Sequence, residues 1–485
     1  MASAATAGEL LADGSLPGRF LRRWAERPAW PQLQDVDGTW ITSDELEART
    51  RDGAQRLLAA GLTAGDRILV SAGSSAALVV LYVAALRAGL VVVPMNTAYT
   101  QAEVARIVGD ARPAAAALDD PERAAWVRAA RAGVLEVPLD PATLPAARGA
   151  EPIDAVAGDA PALLMYTSGT TGRPKGALLT HANLLASTTA VGLAWRWAPE
   201  DRLLLALPLF HIHGLGVGLI GSLAAGASIV LRPRFALDDV FARAEAGEVT
   251  MFFGVPTMYQ RLAESGRAGA LRGLRLLVSG SAPLPPPVGA EIERAAGQMP
   301  LERYGMTETI MLAGNPYEGP RKPGTVGVPF PGVQLRLSDG GEVEVRGPNV
   351  IAGYVENPDA NAEAFTADGW FRTGDLGAFD DDGYLSLIGR SKDLIITGGY
   401  NVHPREVEEV LLAFPGVREA AVVGRPSPEW GEAVTAVLVA DGPVDADALR
   451  AHAARQLAGY KVPKAVEVVD ALPRNALGKV VRAQL

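Results

Sequence analysis

Not one of the 485 residues is a cysteine, so neither a disulfide framework nor a thiolate-ligated metal site can be built from this chain. A basic excess is missing too. With 45 Lys and Arg against 55 Asp and Glu, the formal charge is −10, which withholds the positive footprint that a nucleic acid partner requires. The opening residues, Met1 to Leu10, lack the charged start and apolar block of a secretory leader, so a cytoplasmic location is expected. Two charge-free runs, 68–86 and 214–231, approach the length of a membrane span. Both carry small residues and glycines where a strand would change to a helix or back, so each reads as part of a buried α/β core and no membrane span is expected.

What is present is enough apolar residue, 48%, to fill more than one core, and the length favours two or more domains. From about Leu16 to Arg56 the pattern is helical and polar, broken by a short strand at Trp40-Ile41-Thr42 before an N-cap at Ser43. Strand, helix and apolar strand then follow in turn: Ile68 to Val70, Ser75 to Ala88, Leu90 to Pro94. The alternation returns between Arg202 and Val230, at Thr250 to Gly254 and at Leu274 to Ser279, which argues for parallel βαβ units. The expected class is α/β, with a large N-terminal domain of layered, mostly parallel sheets and helices. A small α+β domain is expected in the last fifth of the chain.

Gly216-x-Gly218-x-x-Gly221 meets a dinucleotide fingerprint, with Asp238 about twenty residues on. Its context is wrong, because Pro208 to Gly214 separates the strand from the glycines. They read instead as small residues on a buried helix. His211 and His213 could share a metal by spacing, yet no third ligand lies nearby in sequence.

The densest chemistry is Tyr166-Thr167-Ser168-Gly169-Thr170-Thr171-Gly172-Arg173-Pro174-Lys175-Gly176, directly after the apolar run Ala162 to Met165. Glycines let backbone N–H groups approach a polyphosphate, hydroxyls add neutral donors, and Lys175 adds a mobile charge. Because Gly176 follows the lysine, this is not a Walker loop. It closely resembles the signature loop of the adenylate-forming superfamily, which contains acyl-CoA synthetases, luciferases and the adenylation domains of peptide synthetases.

The resemblance runs from about residue 40 to the end, with further motifs in family order, and it implies roles by position. ATP contacts fall on Thr167, Ser168, Gly169, Thr170, Thr171, Gly172 and Lys175, then on Ser279-Gly280-Ser281-Ala282-Pro283 and on Arg303-Tyr304-Gly305-Met306. Tyr304 would pack on adenine, Thr307 would contact the α-phosphate, and Glu308 would hold Mg²⁺. Asp375 and Arg390 would take the ribose. Lys392 would be a hinge, dividing 1–391 from a mobile lid, 392–485. Gly398, Gly399 and Tyr400 would line the thiol path of coenzyme A, and Lys479 would be the catalytic lysine of adenylation. His211 would lie at the acyl site.

Segments 277–284, 253–259, 302–309 and 315–321 look most like the malonyl-CoA synthetases. The implied reaction joins a short dicarboxylic acid, malonate or methylmalonate, to coenzyme A through an acyl-adenylate. An arginine must then face the second carboxylate. Arg232, Arg234 and Arg321 are the candidates, Arg234 first, with His211 and Met306 beside the acyl chain. A medium-chain or aromatic acyl-CoA ligase is the alternative, and a non-catalytic nucleotide-binding regulator a remote one. The chain's end at Leu485, without a carrier domain, is read against a peptide-synthetase module, and monomer or homodimer is left open.

Overall fold

The structure is a computed structural model that describes residues 10–147, 149, 151–167, 175–475 and 479–485. Two compact units emerge. The first comprises Met1–Leu335 with Val345–Phe371, the second Arg336–Glu344 with Arg372–Leu485.

In the first unit a nine-stranded sheet runs, edge to edge, through Val328–Pro329, Ala313–Gly314, Leu301–Tyr304, Leu276–Ser279, Met251–Gly254, Arg202–Leu205, Ser228–Leu231, Pro31–Gln34 and Trp40–Thr42. The six strands from Leu301–Tyr304 to Pro31–Gln34 are parallel, and the strands beyond them pair antiparallel. A six-stranded sheet orders Leu135–Glu136, Ala115–Leu118, Arg67–Ser71, Val91–Pro94, Pro161–Thr167 and Lys175–Thr180, all parallel except the last pair. Parallel strands are joined by helical crossovers that cover both faces, which is why Val91–Pro94 and Ser228–Leu231 are buried throughout. One face of the larger sheet packs Val230, Phe252 and Leu277 against helices Leu237–Glu245, Pro256–Glu264 and Pro286–Ala296.

The first charge-free run is strand Arg67–Ser71 followed by helix Ala76–Arg87, whose N-cap Ser75 accepts a hydrogen bond from Leu78 N at 3.2 Å. The second is a buried π-helix, His213–Ile220, that passes through Gly221–Ala225 into Ser228–Leu231. Gly216, Gly218 and Gly221 therefore sit on a buried helix, as expected. No described helix is long and apolar enough to cross a membrane.

Two local expectations need correction. The N-cap of helix Ser43–Ala59 is Thr42: its hydroxyl accepts from Glu45 N, and Glu45 Oε2 accepts from Thr42 N at 2.8 Å. A capping box needs the acidic residue three positions on, which selects Thr42 over Ser43 and is worth about 1 kcal/mol. The stretch before it also holds a strand, Pro31–Gln34, parallel to Ser228–Leu231. Its partner lies nearly two hundred residues away, beyond the reach of local periodicity.

In the second unit Gly431–Ala440 pairs with Val417–Ser427, with Ile395–Thr397 and, in parallel, with Ala465–Val468. Helices Pro404–Leu412 and Ala446–Ala454 close the core through Val407, Leu411 and Leu449. A second strand pair, Phe371–Phe379 with Leu385–Arg390, carries the turn 338–342 against it through Gly377 N to Gly341 O, 3.0 Å. By packing, the chain thus divides about twenty residues before Lys392, which lies in the 3₁₀ turn Ser391–Asp393 inside this unit. Packing and hinging are separate properties, so a division by packing does not locate a hinge.

Candidate active site

In the first unit, strands Pro161–Thr167 and Lys175–Thr180 bring Thr167 opposite Lys175, with Thr167 Oγ1 donating to Lys175 O at 3.5 Å. Ser168, Gly169, Thr170, Thr171 and Gly172 lie outside the described residues. Lys175 Nζ stands 5.3 Å from the centre of the Tyr354 ring, and the Tyr354 hydroxyl donates to Glu308 Oε1 at 2.9 Å. Burial and the neighbouring Glu308 charge raise the phenol well above its ordinary range, so the hydroxyl keeps its proton.

Strand Leu301–Tyr304 ends in a turn that only glycine can open: a Cβ on Gly305 would collide with Ile310 O. Ile310 N donates to Met306 O at 2.7 Å, closing the turn. Thr307 thereby reaches a cleft also lined by Asn96, Tyr99, Met165, Phe210 and His211. Thus Thr307 and His211, far apart in sequence, share one cleft.

Ser279, Gly280 and Ser281 leave the end of the neighbouring strand. A Cβ on Gly280 would occupy the place of the Arg303 guanidinium, so the missing side chain makes room for the arginine. Ser281, at φ +74°, has its hydroxyl 3.2 Å from Nδ1 of buried His213. Arg303 is 6% exposed, and its Nε and Nη2 meet no hydrogen-bond acceptor among the described residues. Adjacent Glu302 does not serve it in the described contacts, since Glu302 Oε2 accepts from Leu284 N at 3.0 Å. Burial pushes the Arg303 guanidinium down to about 9.

In the second unit, Asp375 and Arg390 face each other across paired strands, with Arg390 Nε donating to Asp375 Oδ1 at 3.1 Å. Thr373 and Gly374 shape the approach: Thr373 Oγ1 donates to Val343 O and accepts from Asp375 N. Gly398 and Gly399 hold positive φ, and Gly398 N donates to Trp430 O at 2.8 Å. Tyr400 follows, stacked on Tyr460 with centroids 4.5 Å apart. Lys479 exchanges backbone bonds with Asn475, whose Oδ1 accepts from Lys479 N at 3.0 Å and whose N donates to Lys479 O at 2.9 Å.

Residues 20–355 match the family model for the AMP-binding enzyme, and residues 406–479 match that for the AMP-binding enzyme C-terminal domain. The chain belongs to the AMP-binding enzyme family. Within it, the chain is an AMP-forming carboxylate–CoA ligase. It is 40% identical to a feruloyl-CoA synthase of Amycolatopsis over 92% of its length and 94% of that protein's. With a sulfoacetate–CoA ligase of Cupriavidus necator the identity is 39%, covering 96% of each. With the mitochondrial malonate–CoA ligase of Mus musculus it is 36%, covering 87% and 81%. The crystal structure of ATP-bound MatB from Rhodopseudomonas palustris superposes with a TM-score of 0.91 at 39% identity, over 96% of this chain and 97% of that one.

A structural relative, MenE from Bacillus subtilis, holds ATP and a magnesium ion, and the described residues of this chain offer no group of three or more His, Asp or Glu for a metal. Glu308, buried, stands in the row with Tyr354 and Lys175, which fits a hard cation that draws its other ligands from phosphate oxygens and water. His213, expected beside His211, turns its Nδ1 to the Ser281 hydroxyl.

The three arginines singled out for a second carboxylate stand in different surroundings. Arg232 donates to Asp239 Oδ2 and Gln34 Oε1, both at 3.1 Å. Arg321 donates to Met299 O and to Gln298 Oε1. Arg234 is exposed. The buried arginine without a described acceptor is Arg303, which the sequence motif assigns to the nucleotide. The only signal in the sequence is its pairing with a glycine, Gly280, whose position beside it depends on the sheet. Tyr354, beside Glu308, escapes a sequence reading for the same reason.

Proposed function

We propose that this ligase activates a short dicarboxylic acid, malonate or methylmalonate, and passes it to coenzyme A. Relatives of similar identity carry names for different acids, so the acid is argued from the site. The observation that carries it is Arg303. An isolated buried charge costs several kcal/mol, and a fold keeps one where a ligand supplies the counter-charge. The second carboxylate of a bound dicarboxylate would accept two N–H groups of the guanidinium fork.

In the mechanism, Thr167, Lys175 and the loop between them hold the ATP phosphates, Tyr304 packs on adenine, and Asp375 with Arg390 takes the ribose. Thr307 contacts the α-phosphate, across the cleft from His211 and the acid. A bound Mg²⁺ would neutralise phosphate charge, with Glu308 as its protein ligand. The reacting carboxylate attacks the α-phosphorus, the bond to pyrophosphate breaks, and acyl-adenylate forms. Lys479 stabilises charge on the reacting oxygens, an effect worth about 3–4 kcal/mol. Rotation at Lys392 then exchanges Lys479 for the thiol path at Gly398, Gly399 and Tyr400. The thiol attacks the acyl carbonyl and AMP leaves.

The test is carboxylate-dependent pyrophosphate release across mono- and dicarboxylic acids with ATP, Mg²⁺ and coenzyme A. Malonate or methylmalonate should rank first. If octanoate or benzoate outranks them, the general acyl-CoA ligase reading replaces this one. Lys479→Ala should slow adenylation at least 100-fold, about 3 kcal/mol, while pre-made adenylate still yields thioester. Equal loss in both half-reactions would remove Lys479 from its role.

A further inference from the structure

We propose that Tyr354 is a positioning residue that sets the metal carboxylate Glu308 and the phosphate-loop lysine Lys175 against each other. The proposal rests on the reading of Glu308 as the Mg²⁺ ligand. One side chain touches both: the hydroxyl donates to Glu308 Oε1 at 2.9 Å, and the ring lies 5.3 Å beneath Lys175 Nζ. Lys175 opens its strand and Glu308 lies more than 130 positions on, so the contact joins two motifs far apart in the chain.

Tyr354 is itself held from two sides. It bridges Ala177 in antiparallel fashion, and Val355 N donates to Gly176 O at 2.9 Å, so its backbone is tied to the strand that carries Lys175. From the other side the Asn361 amide clamps it, accepting from Tyr354 N at 2.6 Å and donating to Tyr354 O at 2.9 Å. Ile351 N donates to Glu308 O at 3.0 Å, so the same segment also fixes the backbone of the metal ligand. The hydroxyl orients the carboxylate as an outer partner orients a metal ligand, and the ring gives the lysine a cation–π seat that keeps it near the loop.

The experiment is calorimetric titration of ATP binding by the full chain, without acid substrate, at varied Mg²⁺ and in EDTA. Tyr354→Phe keeps the ring and removes the hydroxyl. Its Mg²⁺ half-saturation should rise about 10- to 100-fold, with binding in EDTA and the melting temperature unchanged. Tyr354→Leu removes the ring as well, and should weaken binding in EDTA by a further about 2- to 5-fold. An unchanged Mg²⁺ half-saturation in Tyr354→Phe, or an equal loss in EDTA, overturns the positioning role. If Tyr354→Leu matches Tyr354→Phe in EDTA, the Lys175 half falls. Glu308→Gln separates the two layers: if it leaves the Mg²⁺ dependence intact, the metal assignment itself fails. If it abolishes that dependence while Tyr354→Phe does nothing, only Tyr354 is wrongly placed.

Discussion

Arg87 and Arg303 are both almost wholly buried in the first unit, and their surroundings are opposites. Arg87, with its side chain 2% exposed, spends all five N–H donors: two on Asp154, one on Glu47 Oε1, one on Glu47 O and one on Thr50 Oγ1, at 2.8 to 3.0 Å. Arg303 has two nitrogens with no described acceptor. A buried guanidinium completed by the protein is an anchor, tying helix Ala76–Arg87 to helix Ser43–Ala59 and to residue 154. One left incomplete among the described residues is, on the proposed reading, completed by the substrate. The contrast turns hydrogen-bond accounting into a functional argument.

The strongest way to break the contrast is Arg303→Met. The kcat/KM for malonate should fall about 1000-fold, since truncating one partner of a buried charge pair costs about 2–5 kcal/mol. Butyrate, without a second charge, should change by less than about threefold, and the melting temperature should hold or rise because an uncompensated charge is gone. Similar losses for both acids would sink the dicarboxylate reading. Arg87→Met should do the reverse. Denaturation followed by tryptophan fluorescence should report a loss of about 3 kcal/mol, with the ranking of acids untouched. A stable Arg87→Met protein would mean that full pairing does not make an anchor.

His181 sharpens the comparison as a third buried basic group. It is fully buried, neither ring nitrogen has a described partner, and burial pushes it down to about 4. Unlike a guanidinium, an imidazole escapes the cost by staying neutral. Because its folded value lies below the unfolded one, about 6.5, the unfolded chain takes up the proton first on acidification. Stability is therefore present above pH 6.5 and drains as pH falls toward 4, by about 3 kcal/mol. His181→Leu should flatten that part of the pH–stability curve while leaving neutral stability nearly as it was. An unaltered acid slope would show that His181 is not its source.

Motifs written as contiguous runs are legible in the amino-acid sequence alone. The segments at Thr167, Ser279, Tyr304, Asp375 and Lys479 announce a nucleotide enzyme because their chemistry sits in a few adjacent residues, and the family match bears out that class. Strand and helix alternation is legible for the same reason. Val91–Pro94 and Ala76–Arg87 declare themselves through local apolar patterning and the cap at Ser75. Illegible are Pro31–Gln34, a strand only because Ser228–Leu231 lies beside it, and the turn 338–342, which packs with residues after Arg372.

By itself, then, the sequence determined the fold class, the order of the nucleotide motifs and the kind of reaction, because short-range patterning and residue chemistry are properties of neighbours along the chain. Tertiary structure alone decided which buried charge is left incomplete. Arg303 reads as one more residue of its motif until the sheet sets Gly280 beside it and turns Glu302 toward Leu284. It likewise decided that Tyr354 joins Lys175 to Glu308. Burial and hydrogen-bond completion depend on everything within a few ångströms, and packing brings those groups together from distant parts of the chain.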